Sequence, residues 1–278
     1  MKTGVNTLLW AGMFTDKEIP LIQKSKKAGF EVCEIPLFDP DAVTTARVRA
    51  AADKAGVEMA LCCVVPTNAN PIAQQKAVRT KATTRLKRLI NACNALGGHI
   101  ICGPTYSPVG HLVGRGRTRQ EWKWCVACYK EIMPLAEDLG VTVAVEPINR
   151  FENYFINVID DVLELIEDVG SPNLRAQLDT FHMNIEEKDS PAAIMRAGKK
   201  LAHFHVSESD RGVPGTGQVD WAGCFKALKA INYDGCLAVE SFNAALKEIA
   251  AATCIWRKIA PSQDAIAKGA LNVIKKYW

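Results

Sequence analysis

Short runs rich in Val, Ile, Leu and Cys recur eight times along this 278-residue chain, at residues 3–9, 32–37, 58–65, 100–103, 141–145, 174–178, 201–206 and 236–239. Runs that are apolar at every position suit parallel strands covered on both faces, and the longer amphipathic stretches between them suit the crossover helices that such strands require. The periodicity predicts helices over 16–28, 42–55, 72–96, 121–139, 158–169, 191–197 and 221–231, and a last one ending at Tyr277. Gly29, Gly56, Gly97, Gly140, Gly170 and Gly235 stand just before strands, where a helix C-terminus favours a residue that tolerates positive φ. Eight strand–helix units in a chain of this length predict an α/β fold, a single (β/α)8 TIM barrel, with residues 1–278 as one catalytic domain.

Four of the runs end on a carboxylate or imidazole: Glu146 after 141–145, Asp179 after 174–178, His205 at the end of 201–206 and Glu240 after 236–239. A lone carboxylate at a strand end can merely cap the helix that follows. Four on consecutive strands point to one site, because the C-terminal strand ends of such a barrel converge on one mouth. Two Glu, one Asp and one His form an oxygen-rich ligand set with a single imidazole, which suits Mn²⁺, Mg²⁺ or Co²⁺. The expectation is a metal-dependent enzyme.

Composition narrows the alternatives. The chain carries 34 basic and 30 acidic residues, a net charge of +4 spread without a basic block, so no nucleic-acid partner is implied. It opens without a long apolar leader and no stretch reaches the roughly 20 apolar residues of a membrane helix, which predicts a soluble, cytoplasmic protein with no membrane partner. Ten cysteines lie mostly inside the apolar runs, where they read as small buried hydrophobes of a reducing compartment. Cys125 and Cys128 form a C-x-x-C, but no second pair or nearby histidine completes a tetrahedral zinc site, and positions three apart simply share a helix face.

Around the four strand-end residues stand Glu152, His182, Glu208 and Arg211, each a few residues beyond a strand and therefore in the mouth loops. His203 shares a strand face with His205 and reads as a satisfied core histidine; Glu34, inside the second strand, reads as a buried carboxylate paired to a neighbour. The longest irregular segments, 104–118 and 207–219, are placed over the mouth. Arg115, Arg117 and Arg119 invite a phosphate-clamp reading, but no Gly-rich loop and helix follow them in the required form, and a solvated lid or subunit contact is the preferred one.

The segments Glu146-Pro-Ile-Asn149-Arg150-Phe151-Glu152, Leu178-Asp179-Thr180-Phe181-His182-Met183-Asn184-Ile185-Glu186-Glu187, His203-Phe204-His205-Val206-Ser207-Glu208-Ser209-Asp210-Arg211 and Val239-Glu240-Ser241-Phe242 resemble the ketose 3-epimerases, a group of xylose-isomerase-like barrels. The resemblance implies metal ligation by Glu146, Asp179, His205 and Glu240, the four already selected by position. It implies that Glu152, His182 and Arg211 hold the C1–C3 end of an open-chain, unphosphorylated ketose, and that Asn6, Trp10, Phe14 and Cys62 form the wall around C4–C6. It also implies a homodimer or homotetramer, to which exposed aromatics such as Trp122, Trp124 or Trp256 would contribute. Two departures, Asn6 where several members carry an aromatic and Val-Glu-Ser-Phe in place of Met-Glu-Pro-Phe, leave the preferred ketose open.

The implied chemistry needs two carboxylates. The C3 proton, α to the C2 carbonyl, is removed on one face of the sugar and replaced on the other, through a cis-enediolate that a divalent Lewis acid, preferably Mn²⁺, stabilises. Glu146 and Glu240 are assigned as the pair, exchanging roles with reaction direction. The main rival is an aldose–ketose or hydroxypyruvate-type isomerase on the same barrel; a zinc endonuclease needs a histidine-rich multi-metal site and a basic DNA-facing groove, which five histidines and a near-neutral charge balance do not suit, and a binding barrel without turnover has no need of both glutamates.

Overall fold

A computed structural model of the chain describes residues 1–243 and 245–278. The strands are β1 (Lys2–Asn6), β2 (Val32–Pro36), β3 (Glu58–Cys62), β4 (Ile100–Gly103), β5 (Thr142–Val145), β6 (Leu174–Asp179), β7 (Leu201–Val206) and β8 (Cys236–Val239). They pair in sequence order, all parallel, and β8 closes on β1. The helices are α1 (Pro20–Lys27), α2 (Thr45–Ala55), α3 (Lys76–Ala95), α4 (Arg119–Asp138), α5 (Ile159–Val169), α6 (Thr180–Glu186), α7 (Ser190–Ala197), α8 (Trp221–Ala230), α9 (Lys247–Thr253) and α10 (Gln263–Tyr277). This is the (β/α)8 TIM barrel that the periodicity predicts. No helix among the described residues is long and apolar enough to cross a membrane.

Local chemistry accounts for where the boundaries move. The first run ends as a strand at Asn6, whose side-chain oxygen accepts from the Leu8 N–H and turns residues 7–9 into a 3-10 helix. The first helix starts at Pro20 rather than 16, since proline at the first helical position needs no N–H partner. Two short helices, α6 and α9, fall outside the periodic reading; α6 is seven residues directly on the end of β6 and α9 buries no residue, so neither carries an amphipathic stripe long enough to read. Five of the six punctuating glycines adopt positive φ, while at the eighth strand that conformation passes to Asn232 and Gly235 is needed for space, a Cβ there lying 2.6 Å from the Ala202 carbonyl.

Strand alternation separates two interiors. Outward-facing Val5, Ile35, Leu61, Val143, Leu178, Phe204 and Leu237 join the helix faces in one continuous apolar layer. Inside the barrel a separate, small cluster of Cys62, Cys102 and Ala144 sits beside a polar stack of Glu34, Gln177, His203 and His205, all four fully buried. Small side chains make the room: Gly4 faces inward so closely that a Cβ would lie 2.6 Å from Cys236 Sγ. Every cysteine is a free thiol, and Cys125 and Cys128 lie buried on one face of α4.

At the end of β4, Gly103 has φ of 115° and a Cβ on it would lie 2.4 Å from the Cys63 carbonyl oxygen. Both the backbone conformation and the space require glycine there. Gly103→Ala is expected to destabilise the fold by about 2–4 kcal/mol, read from denaturant unfolding; an unchanged midpoint would show that the strand end relaxes freely.

Candidate active site

The four strand-end residues meet. Glu146, Asp179, His205 and Glu240 each offer a ligand atom, all within 4.8 Å of one another and all buried. Register explains it: Asp179 pairs with His205 across β6 and β7, and Val206 with Val239 across β7 and β8, so the three C-terminal ends are level. Glu146 comes from β5, next to β6.

His205 is oriented by what lies behind it. Its Nε2 is 3.0 Å from Glu34 Oε1, which leaves Nδ1 facing Glu240, Asp179 and Glu146 at 3.4, 3.6 and 3.8 Å. An imidazole that donates one N–H to a carboxylate offers its other nitrogen as a metal ligand, in the orientation such sites use. Glu34 also accepts from the amide of Asn6 at 2.8 Å and has His203 Nε2 2.6 Å from its Oε2, although neither His203 ring nitrogen has hydrogen-bond geometry to a partner.

The electrostatics ask for a cation. Burial, with Glu240 and Asp179 adding like charge, holds the Glu146 carboxyl well above the usual carboxylate range despite the opposing pull of His205 and Arg211. Its Oε1 is buried without a hydrogen-bond partner. Burial works against charge on Asp179 too, but Arg211 and His205 hold its carboxyl well below the usual range. Three buried carboxylates, one of them with an orphaned oxygen, and one correctly presented imidazole fit a hard divalent ion.

Arg211 is buried against this cluster. Its Nη1 donates to Asp179 Oδ2 at 2.7 Å, Ser207 Oγ at 2.8 Å and Glu240 Oε2 at 3.0 Å, and its guanidinium lies over the Phe181 ring at 4.1 Å. The backbone at Arg211 has φ of 61°, fixed by its N–H to the Glu208 carbonyl and by Ser241 Oγ donating to its own carbonyl at 2.6 Å. Glu208 itself is turned away from the mouth. Its carboxylate accepts from the N–H groups of Ser209, Gly215 and Val219 and from the Trp221 indole, which organises the loop that carries Arg211.

His182 is kept neutral. Burial and then the Arg211 charge push its pKa down to about 3. Its Nδ1 accepts the Asn149 main-chain N–H at 3.1 Å, and its Nε2, on the cavity side, lies 3.2 Å from Arg211 Nη2, a group that only donates. Glu152, held by Asn149 Nδ2 at 2.7 Å, is raised above the ordinary carboxylate value by burial. Asn149 thus positions both groups and has no signal in the sequence beyond its place in the Glu146–Glu152 segment.

These residues floor a cavity of about 220 Å³, lined at its charged end by Glu146, Glu152, His182, Arg211 and Glu240. Of the expected sugar-tail wall, Cys62 lines it and the other three do not. Asn6 is fully buried beneath the floor, its amide joining Glu34 Oε1 to Glu240 Oε1 at 2.8 and 3.1 Å. Trp10 is drawn aside by its indole N–H to Asp264 and by Lys24 over its ring, and Phe14 is 1% exposed in the apolar layer. In their place stand Leu8, Phe38, Val64, Val109 and Ile249, which no polar signal marks.

In the arginine-rich loop two of the three guanidinium groups are committed to carboxylates. Arg115 pairs with both oxygens of Glu121 at 2.8 and 2.9 Å, and Arg117 with Asp161 at 2.8 Å and Glu164 at 2.6 Å. Trp122 and Trp124 are half-buried under Arg117 and Arg79 respectively, whereas Trp256 is 75% exposed. Asp179 also caps α6, its Oδ1 accepting from Phe181 N at 2.6 Å, so the capping alternative and the cluster both hold at this residue.

A closed parallel barrel with a carboxylate-floored cavity at its C-terminal end defines a class, and residues 22–276 match the model of the xylose isomerase-like TIM barrels. An L-ribulose 3-epimerase of Mesorhizobium japonicum is 32% identical over 97% of this chain and 91% of its own length. A ketose 3-epimerase of Arthrobacter globiformis is 32% identical over 93% and 90%. The crystal structure of a D-allulose 3-epimerase from Methylomonas sp. in complex with D-allulose superposes with a TM-score of 0.95 at 29% identity, covering 100% of this chain and 97% of that one. The chain belongs to the ketose 3-epimerases within the xylose isomerase-like TIM barrel family.

Proposed function

We propose that the protein is a metal-dependent ketose 3-epimerase that interconverts C3 epimers of unphosphorylated ketoses, such as D-allulose and D-fructose, D-tagatose and D-sorbose, or L-ribulose and L-xylulose. The observation that carries the reading is the pair Glu146 and Glu240, which reach one cavity from β5 and β8 with two strands between them. A divalent ion held by Glu146, Asp179, His205 and Glu240, Mn²⁺ in our reading, would act as a Lewis acid that polarises the C2 carbonyl and offsets the charge developing on O2.

The chain's own groups do the rest. One of the two glutamates accepts the C3 proton as the C–H bond breaks, and its electron pair passes into the C2–C3 bond. The other delivers a proton to the opposite face of C3, so the carbonyl returns to C2 and no electrons are gained or lost. His182, Glu152 and Arg211 hold the C1–C3 end in place. The oligomer enters the proposal with Phe151 and Trp256, 72% and 75% exposed in the groove outside the cavity, as the surface for a second copy.

Product analysis in deuterated water tests the chemistry. The expected product keeps its carbonyl at C2, is inverted at C3 and carries solvent deuterium at C3, all visible in the proton NMR spectrum. An aldose as main product, with C3 unlabelled, would replace this reading with the aldose–ketose isomerase.

A further inference from the structure

Register sets Asn6 opposite Glu34 across β1 and β2, and Val5 opposite Val239 across β1 and β8, which brings Glu240 alongside Asn6 on its other flank. Asn6 is fully buried, and both ends of its amide are engaged. Its Oδ1 accepts the Leu8 N–H at 3.0 Å, which turns the NH₂ group toward the two carboxylates, to donate to Glu34 Oε1 at 2.8 Å and to Glu240 Oε1 at 3.1 Å. The amide carries no charge, so it orients a base without neutralising it.

The two glutamates of the cavity are held differently. Glu240 is gripped at both oxygens, Oε1 by Asn6 and Oε2 by Arg211 Nη1 at 3.0 Å, and the same Oε2 lies 3.4 Å from His205 Nδ1. Glu146 Oε1 has no hydrogen-bond partner among the described residues. The last torsion of a glutamate is a broad two-fold rotor, and donors on both oxygens hold it still. We infer, on the proposed roles of the two glutamates as opposed proton carriers, that Asn6 is a positioning residue for Glu240 alone. It fixes the plane of that carboxylate, so that Oε2 stays among the ligand atoms while the group faces C3, and it leaves Glu146 untouched.

The test uses Mn²⁺-saturated wild type and two variants, Asn6→Leu, which keeps the volume and removes all three hydrogen bonds, and Asn6→Ala, which leaves its neighbours room to settle. An epimer pair that the wild type interconverts is run from both sides in deuterated water, and NMR compares solvent deuterium at C3 of the recovered sugar with inversion at C3. In both variants kcat is expected to fall about 10- to 100-fold, the scale of a misplaced reacting group, while KM changes less than about threefold. From the epimer that Glu146 deprotonates, a misplaced Glu240 delays proton delivery and the sugar regains a proton from Glu146 instead, so the ratio of exchange to inversion is expected to rise at least about threefold over wild type. From its C3 epimer Glu240 acts first, the slowed step precedes any exchange, and the ratio is expected to stay within about twofold. A ratio that moves alike from both sides, or kcat within about twofold of wild type in either folded variant, overturns the positioning role. Failure of both variants to fold or to take up Mn²⁺ also overturns it, in favour of a structural Asn6. No C3 epimer from the wild type with D-allulose, D-tagatose or L-ribulose overturns the epimerase reading itself, and the assignment with it.

Discussion

Glutamine at position 146 or 240 is expected to lower kcat by two to four orders of magnitude while the protein folds normally, since the amide keeps the shape of the carboxylate and loses its capacity to take a proton. Both residues line the cavity, and each is also placed to ligate the ion. Metal content therefore has to be measured beside turnover. A variant that binds metal and still turns over at the wild-type rate would remove that residue from proton transfer. Circular dichroism separates loss of chemistry from loss of fold. Glu34→Gln provides a contrast: Glu34 receives His205 Nε2 and lines no part of the cavity, so its effect is expected chiefly on metal affinity rather than on the rate of the saturated enzyme.

Exhaustive chelation is expected to reduce activity at least about 100-fold, with Mn²⁺ or Co²⁺ restoring it better than Zn²⁺, because three carboxylates and one imidazole suit a six-coordinate oxygen site more than a closed tetrahedral one. The same treatment should lower thermal stability. An ion bound only by the folded state contributes about 2.7 kcal/mol at a hundredfold excess over Kd, and the buried, partnerless Oε1 of Glu146 marks where it acts. Two readings, activity and melting temperature against added Mn²⁺, should saturate together. Full turnover in protein shown by elemental analysis to be metal-free would end the metal reading.

The barrel was legible because each strand is apolar on both faces and each helix carries a stripe, so period and punctuation agree along the whole chain. Asp179, His205 and Glu240 were legible for a related reason: ends of neighbouring parallel strands must lie together once the register is set. What sequence alone did not reveal follows from tertiary contacts without local periodicity. The family resemblance placed Asn6 in the wall, yet the inward alternation of the first strand sets it between Glu34 and Glu240. The true wall comes from loops and from α9, a helix with no buried face, whose Ile249 and Thr253 close over the cavity only in three dimensions. Glu186 and Glu187, inside the most diagnostic motif, turn out to be anchors, pairing with Arg150 and Arg196 at 2.9 Å each.

The division of each strand into an outward apolar face and an inward polar one means that durability and chemistry are written in alternate letters of the same word. Val143, Leu178, Phe204 and Leu237 look to the helices, while their immediate neighbours look to the barrel axis. A change on one parity alters how long the protein survives; a change on the other alters what it does. Selection for heat tolerance and selection for a new sugar can therefore proceed side by side on strands only four to six residues long, and variants from the two searches should combine with nearly additive effects.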